Sequence, residues 1–368
     1  MFKNKTNIIF FSPSIEDGGV EKNLEYLTNY FLKKKKEISI ISANSDKKKN
    51  FSNKINFIAP DTNLFINSSR ICKSLVCFFL ILTVIKKKMI IVSFNNNIFA
   101  IFIAKLIGAK IIIRSNTSLH SYSKNLFKKK IFSFFFRFAD VVIVNSKAMV
   151  REMKILLDVN STHIYNPIEN INTILKKSEE NLKLKYFKRN TLKILIIGRL
   201  VKQKNQMLIL KSLNQIKNKI NFKCIIIGEG EEKYNLNKFI DQQNLKGLIK
   251  IIKYQKNIYP YLKKSDLFIL SSNYEGLPNV LIEALVFKKI IFSTNCPTGP
   301  REILNNGKYG VLYPKNNYKI LSKLILNFNK NKILYTKKAL KGFDSLSRFN
   351  LDVNCKKYLD IVDEINER

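Results

Sequence analysis

Lys193-Ile194-Leu195-Ile196-Ile197-Gly198-Arg199-Leu200-Val201-Lys202-Gln203-Lys204-Asn205 reads as a short buried strand that ends on a glycine and passes through a cationic loop into a helix. The same unit recurs on both sides of it. Lys223 to Ile227, Ile249 to Ile252, Leu267 to Leu270 and Lys289 to Phe292 follow. Asn7 to Phe11, Ile38 to Ile41, Met89 to Val92, Lys110 to Ile113 and Val141 to Val144 precede. Each run is rich in Ile and Val, and helix-compatible segments separate them, as for parallel strands covered on both faces. The sequence therefore predicts an α/β protein with two doubly wound domains.

The 368 residues suit two domains. Tyr165-Asn166-Pro167 and the polar stretch from Asn170 to Asn190 place the boundary near residue 180. The expected division is 1–180 for the first domain, 181–335 for the second and 336–368 for a helical tail that returns to the first.

The net charge of +38 comes almost entirely from lysine, with arginine at only nine positions. Arginine is the usual reader of base edges, and the chain is equally heavy in Ile, Asn and Phe. The charge reads as compositional bias with a preference for anionic membrane surfaces, and nucleic acid is not an expected partner. Cys72, Cys77, Cys224, Cys296 and Cys355 form no close pair, so neither a disulfide framework nor a zinc site is expected. The apolar core Ile8 to Phe11 is too short for a signal peptide, and the stretch Ile71 to Ile85 is too short to span a bilayer. A cytoplasmic location, with peripheral attachment to the inner face of the cytoplasmic membrane, is the expectation. Lys124 to Phe138 mixes Lys128-Lys129-Lys130 with six aromatic or aliphatic neighbours and suits a membrane interface.

Four loops at strand ends carry the chemistry. Gly18 and Gly19 lie between the first strand and the first helix, where backbone can approach a ligand closely. Gly198 is followed by Arg199 and Lys204, two cations suited to a diphosphate. Gly228-Glu229-Gly230 lacks the third glycine of a dinucleotide fingerprint and fits a mononucleotide or a plain turn. Ser271-Ser272-Asn273-Tyr274-Glu275-Gly276-Leu277-Pro278-Asn279 leads into a helix bearing Glu283. A helix start beside two carboxylates suits a nucleotide-sugar, phosphate toward the N–H groups and hydroxyls toward the acids. Asn295-Cys296-Pro297-Thr298-Gly299-Pro300-Arg301-Glu302 adds a polar loop at the next strand.

Taken in order, Gly18-Gly19, Gly198-Arg199-Leu200 to Lys204-Asn205, Gly228-Glu229-Gly230 and Glu275-Gly276-Leu277-Pro278-Asn279 to Glu283 resemble family 4 of the retaining glycosyltransferases. The resemblance implies the GT-B fold, two Rossmann-like domains facing across a cleft, the first for the acceptor and the second for the nucleotide-sugar. It implies that Arg199 and Lys204 hold the donor diphosphate, Glu275 the transferred sugar and Glu283 the ribose. By the same resemblance Gly18, Gly19, Gly198, Gly228, Gly230, Gly276, Leu277, Pro278 and Asn279 are expected to complete the donor site, and Arg199, Lys204 and Glu275 to form the catalytic set. Many relatives carry a histidine after the fourth strand of the first domain. Here that loop reads Arg114-Ser115-Asn116-Thr117, leaving Arg114, Asn116 and the later His120 as acceptor or catalytic candidates.

The function so implied is transfer of a hexose or N-acetylhexosamine from a UDP-sugar to a lipid-linked or polysaccharide acceptor, with retention, for a bacterial capsule or lipopolysaccharide. No metal and no cofactor are expected, since the cations suffice for the leaving group. A nucleotide-sugar epimerase of the same build is the alternative among enzymes. A basic nucleic-acid-binding protein is the alternative outside them, and it would leave the two acids without a role.

Overall fold

Ile8 and Phe10 pack on one side of the first strand, and Ile9 and Phe11 on the other. That alternation repeats at Ile90 and Val92 against Met89 and Ile91, and at Ile112 against Ile111 and Ile113. Side chains alternate with a period of two, so a strand covered on both faces must be apolar at every position. A computed structural model describes residues 7–16, 18–62, 64–65, 67–85, 88–119, 125–180, 186–188 and 190–368. His120, together with Lys124 and residues 181–185 and 189 of the segments read above, lies outside these residues.

The chain divides into two units, Met1–Pro167 with Leu351–Arg368, and Ile168–Asn350. The first contains β1 (Asn7–Phe11), α1 (Gly19–Lys33), β2 (Ile38–Ile41), β3 (Asn56–Ile58), α2 (Arg70–Leu82), β4 (Met89–Ser93), α3 (Asn97–Leu106), β5 (Lys110–Ser115), α4 (Leu126–Phe136), β6 (Val141–Val144), α5 (Lys147–Glu152) and β7 (Thr162–His163). Its sheet is parallel throughout, in the order β3-β2-β1-β4-β5-β6-β7. Right-handed crossovers put helices from opposite directions of travel on opposite faces. Accordingly α2, α3, α4 and α5 contribute to the core on one face, and α1 to the core on the other.

The second unit contains α6 (Ile171–Lys177), β8 (Leu192–Ile197), α7 (Gln206–Asn214), β9 (Phe222–Ile227), α8 (Lys233–Gln242), β10 (Ile249–Ile252), α9 (Tyr259–Lys264), β11 (Leu267–Leu270), α10 (Asn279–Val286), β12 (Ile290–Thr294), α11 (Pro300–Ile303), β13 (Val311–Tyr313), α12 (Tyr318–Lys330) and α13 (Lys332–Asp344). The parallel sheet runs β10-β9-β8-β11-β12-β13. The strand order reverses between β8 and β11, and ligands of open α/β sheets bind beyond the strand ends at that crevice.

Two boundaries differ from the expectation. The division falls after Pro167, not near 180, because the polar stretch following it contains α6, which packs on α9 of the second unit. The tail belongs to the first unit only from Leu351, not from 336. Residues 332–344 form α13, held by Tyr335 against Phe292 and Phe328 with ring centres 5.7 and 5.4 Å apart. The final helix, α14 (Leu351–Glu367), buries Cys355, Tyr358 and Val362 against α1 and the first sheet.

Candidate functional site

The loops leaving β8 and β11 meet at the reversal of the second sheet. Ser271 Oγ donates to the Lys204 carbonyl (2.8 Å), Gln203 Nε2 to the Tyr274 carbonyl (2.9 Å), and Asn273 Nδ2 to the Lys202 carbonyl (3.0 Å). The Asn273 N–H donates to the Gln203 carbonyl (2.8 Å). These bonds fix both backbones, and the side chains they present are opposite in charge. Lys204 Nζ lies 2.6 Å from Glu275 Oε1, with the side chains 17% and 7% exposed. Ser272 Oγ donates to the same carboxylate oxygen at 2.6 Å.

Glycine explains how four loops fit along one sheet edge. A Cβ on Gly228 would lie 2.1 Å from the Gly198 carbonyl oxygen, and one on Gly230 would lie 2.3 Å from that of Leu200. The β8 and β9 loops are joined there by Gly198 N–H to Ile227 O (3.0 Å) and Leu200 N–H to Glu229 O (2.7 Å). On the other side, Gly299 has φ 68°, and a Cβ there would lie 2.0 Å from the Gly276 carbonyl oxygen. Thr298 Oγ1 donates to the Glu275 carbonyl, and Thr294 Oγ1 to that of Ser272 (2.6 Å). The β12 loop thus buttresses the β11 loop from beneath.

The structure brings Lys204 and Glu275 into contact and places Gly198, Gly228, Gly230, Gly276, Leu277, Pro278 and Asn279 along the same edge. Arg199 is exposed at the end of β8. Pro278 precedes α10, with φ −71° and ψ 111°, so the helix starts at Asn279. Glu283 sits in α10, 5% exposed, and accepts from the Tyr259 hydroxyl at 3.4 Å. Cys296 is 1% exposed; burial first, then the Glu275 carboxylate, pushes its thiol up to about 12. Among the described residues, no group of three or more His, Cys, Asp or Glu could hold a metal ion.

In the first unit, Gly18 is extended and caps α1, which starts at Gly19. The reversal of that sheet lies between β1 and β4, where Asn95 Nδ2 donates to Ser12 Oγ (3.3 Å) and the Ser14 carbonyl (3.0 Å). Asn116, just past β5, donates to the Phe94 carbonyl at 2.7 Å. Arg114 is 1% exposed within β5 and faces the core on the α14 side. Its Nη2 donates to Asn166 Oδ1 (2.6 Å), its guanidinium lies 5.0 Å from the Phe94 ring centre, and its charge reaches Cys355 and Tyr358. Burial raises both of those groups, Cys355 to about 12, and the Arg114 charge opposes the rise. Arg114 therefore joins β5, Asn166 and the last helix.

Sequence reasoning passed over Gln203, Ser272, Tyr259 and Asn95. Ser272 lay in the quoted motif, three residues before the carboxylate it holds. Tyr259 carried no local signal, because only the fold brings it to Glu283.

Residues 177–341 match the family described as glycosyl transferases group 1. An uncharacterized glycosyltransferase of Methanocaldococcus jannaschii is 36% identical over 222 residues, 54% of each chain, so the match spans about half the length of that relative. A Campylobacter jejuni protein named N-acetylgalactosamine-N,N'-diacetylbacillosaminyl-diphospho-undecaprenol 4-alpha-N-acetylgalactosaminyltransferase is 27% identical over 278 residues, 72% of this chain and 74% of its own. The Anabaena protein HepE, solved with UDP and glucose, superposes with a TM-score of 0.80 at 16% identity, over 97% of this chain and 99% of that one. The fold is GT-B, with two parallel Rossmann-like sheets.

Proposed function

We propose that the chain is a retaining glycosyltransferase of family 4 that moves a hexose or N-acetylhexosamine from a UDP-sugar to a lipid-linked or polysaccharide acceptor of a bacterial surface glycan. The observation that carries this reading is the Lys204–Glu275 contact of 2.6 Å at the reversal of the second sheet. It joins a cation for phosphate to an acid for sugar hydroxyls at the edge where ligands of such sheets bind. The Campylobacter relative, named for transfer onto a diphospho-undecaprenol-linked glycan, and the UDP complex of HepE support the acceptor and donor classes.

In this reading Arg199 and Lys204 hold the diphosphate, Glu275 accepts hydrogen bonds from the transferred sugar, and Glu283, set by Tyr259, accepts them from the ribose. The bond from the anomeric carbon to the diphosphate oxygen breaks, and a bond to the acceptor hydroxyl oxygen forms on the same face. The hydroxyl proton passes to the departing phosphate oxygen. Negative charge grows on the UDP as the bond lengthens, and fixed cations stabilise it with little reorganisation. In this reading the two side-chain cations supply that stabilisation without a metal. The first unit takes the acceptor, with Asn116 at its sheet edge as a polar contact.

A thermal-shift panel of nucleotides and sugar nucleotides tests the donor. A UDP-sugar at 100 times its Kd should add about 2.7 kcal/mol of stability. Stabilisation by UDP-sugars and not by ADP- or GDP-sugars is the expected result, followed by radiolabel transfer to extracted lipid-linked glycans. A chain that no uridine nucleotide stabilises would overturn the assignment.

A further inference from the structure

Helix α2 carries apolar side chains on its outer side as well as toward the core. Cys77 and Ile81 face the core, while Ile71, Leu75 and Phe79, spaced by four, form an outer stripe that is 71%, 45% and 64% exposed. A helix of a water-soluble domain normally carries polar residues on that side. The neighbouring helix α3 repeats the pattern. Ala100, Ile103 and Ala104 are buried, and Phe102 and Leu106 are 54% and 60% exposed. Asn96, which caps α3, donates to Ser74 of α2 at 2.7 Å, so the start of α3 is tied to α2. Helix α4 packs on α3 and exposes Phe134 at 60%. All three helices bury their inner sides against one face of the first sheet, and each exposes large aliphatic or phenyl groups on its outer side.

The charge exposed by these helices is basic. Helices α2, α3 and α4 contain no carboxylate, and they expose Arg70, Lys105, Lys128 and Lys130, with Lys129 beside them; Lys73 is buried, and Lys105 lies 3.7 Å from Asp140 outside the helices. Lys128 and Lys130 are exposed and Lys129 is partly so. None of the described helices is long and apolar enough to cross a membrane. An apolar layer with basic side chains fits the boundary between headgroups and acyl chains, where phenyl groups enter and lysines meet anionic lipid. A second copy of this surface would set lysine against lysine.

We propose that the outer face of α2, α3 and α4 docks the first unit on an anionic bilayer. The surface belongs to the first unit and the nucleotide-sugar loops to the second, so it does not depend on the nucleotide-sugar reading. The test is co-sedimentation of the full chain with phosphatidylcholine vesicles, with and without phosphatidylglycerol, at low and at high salt. Binding to the anionic vesicles at low salt, weakened by salt, is expected. Reversing Lys128→Glu, Lys129→Glu and Lys130→Glu together should lower the partition coefficient on the order of 100-fold or more, at about 1 kcal/mol for each cation. Phe79→Asp should weaken binding separately through the apolar stripe. Both variants should keep the thermal shift of the parent with UDP, because neither touches the second unit. Absence of binding at low salt would overturn the proposal, as would unchanged binding by the lysine variant. A dimer in solution that Phe79→Asp abolishes would assign the face to a second copy and overturn it too. Vesicle binding without any response to UDP would leave this surface standing and remove the donor assignment.

Discussion

Replacing Lys204 by Met separates what the Lys204–Glu275 pair does for the fold from what the cation does for the reaction. The two side chains are 17% and 7% exposed, so the substitution leaves a largely buried carboxylate with the Ser272 hydroxyl at 2.6 Å still donating to it. Breaking a buried pair by removing one partner costs about 3–5 kcal/mol, and the retained serine bond puts this case near 3 kcal/mol. The double variant Lys204→Met with Glu275→Gln carries neither charge, and the amide oxygen it introduces can still accept from Ser272. It should recover to within about 1 kcal/mol of the parent. Transfer should not recover, since the cation proposed to face the departing phosphate is absent in both, a loss of about 100-fold or ~3 kcal/mol. Local opening can be followed by thiol labelling of Cys296, which is 1% exposed and whose pKa of about 12 keeps it protonated until the loops part. Equal instability of the single and double variants would show that the two side chains are not coupled. Normal transfer by Lys204→Met would refute its role at the phosphate.

Gly228→Ala should destabilise the second unit by about 2 kcal/mol or more, since its Cβ would meet the Gly198 carbonyl oxygen at 2.1 Å; Gly247→Ala, with nothing within 4 Å, should be near neutral, and urea titration compares them. Tyr259→Phe removes the hydroxyl that donates to Glu283 and should raise KM for the UDP-sugar about tenfold with kcat little changed, a split that steady-state kinetics resolves. Lys289 donates to the Lys263 and Ser265 carbonyls (2.9 and 2.8 Å), and burial lowers its pKa from 10.5 to about 8. Between these values the unfolded chain holds the extra proton. The Lys289 contribution is therefore full above about pH 10.5 and is lost as pH falls through about 8. Stability measured across that range should rise with pH in the parent and lose this component in Lys289→Met.

The central strands were legible because a strand covered on both faces must be apolar throughout, and Met89 to Val92 or Leu267 to Leu270 satisfy that without help from the rest of the chain. β3, β7 and β13 escaped for the converse reason. They lie at sheet edges, have two or three residues, and are partly exposed, so Thr162-His163 leaves no apolar run to find. The same holds for α6, a short helix inside a stretch whose polar composition reads as linker.

The site was legible as a set of loops and not as a set of contacts. Strand ends that carry glycine, cations and acids announce an edge with chemistry. The partner of Lys204 is 71 residues away in sequence, and only the strand order β9-β8-β11-β12 makes the two loops neighbours. Glycine shows the difference most clearly. Gly228 and Gly230 suggest a cradle for phosphate, yet the space a Cβ would fill is taken by the carbonyl groups of Gly198 and Leu200. Gly299 meets Gly276 in the same way. The glycines of these loops allow four backbones to pack along one edge, and the Lys204 and Glu275 side chains are held in contact as a consequence. A substitution that adds a methyl group to Gly228 or Gly299 should therefore weaken the proposed UDP-sugar binding although the methyl is aimed at a backbone carbonyl group, and it should do so in proportion to the exposure it gives Cys296.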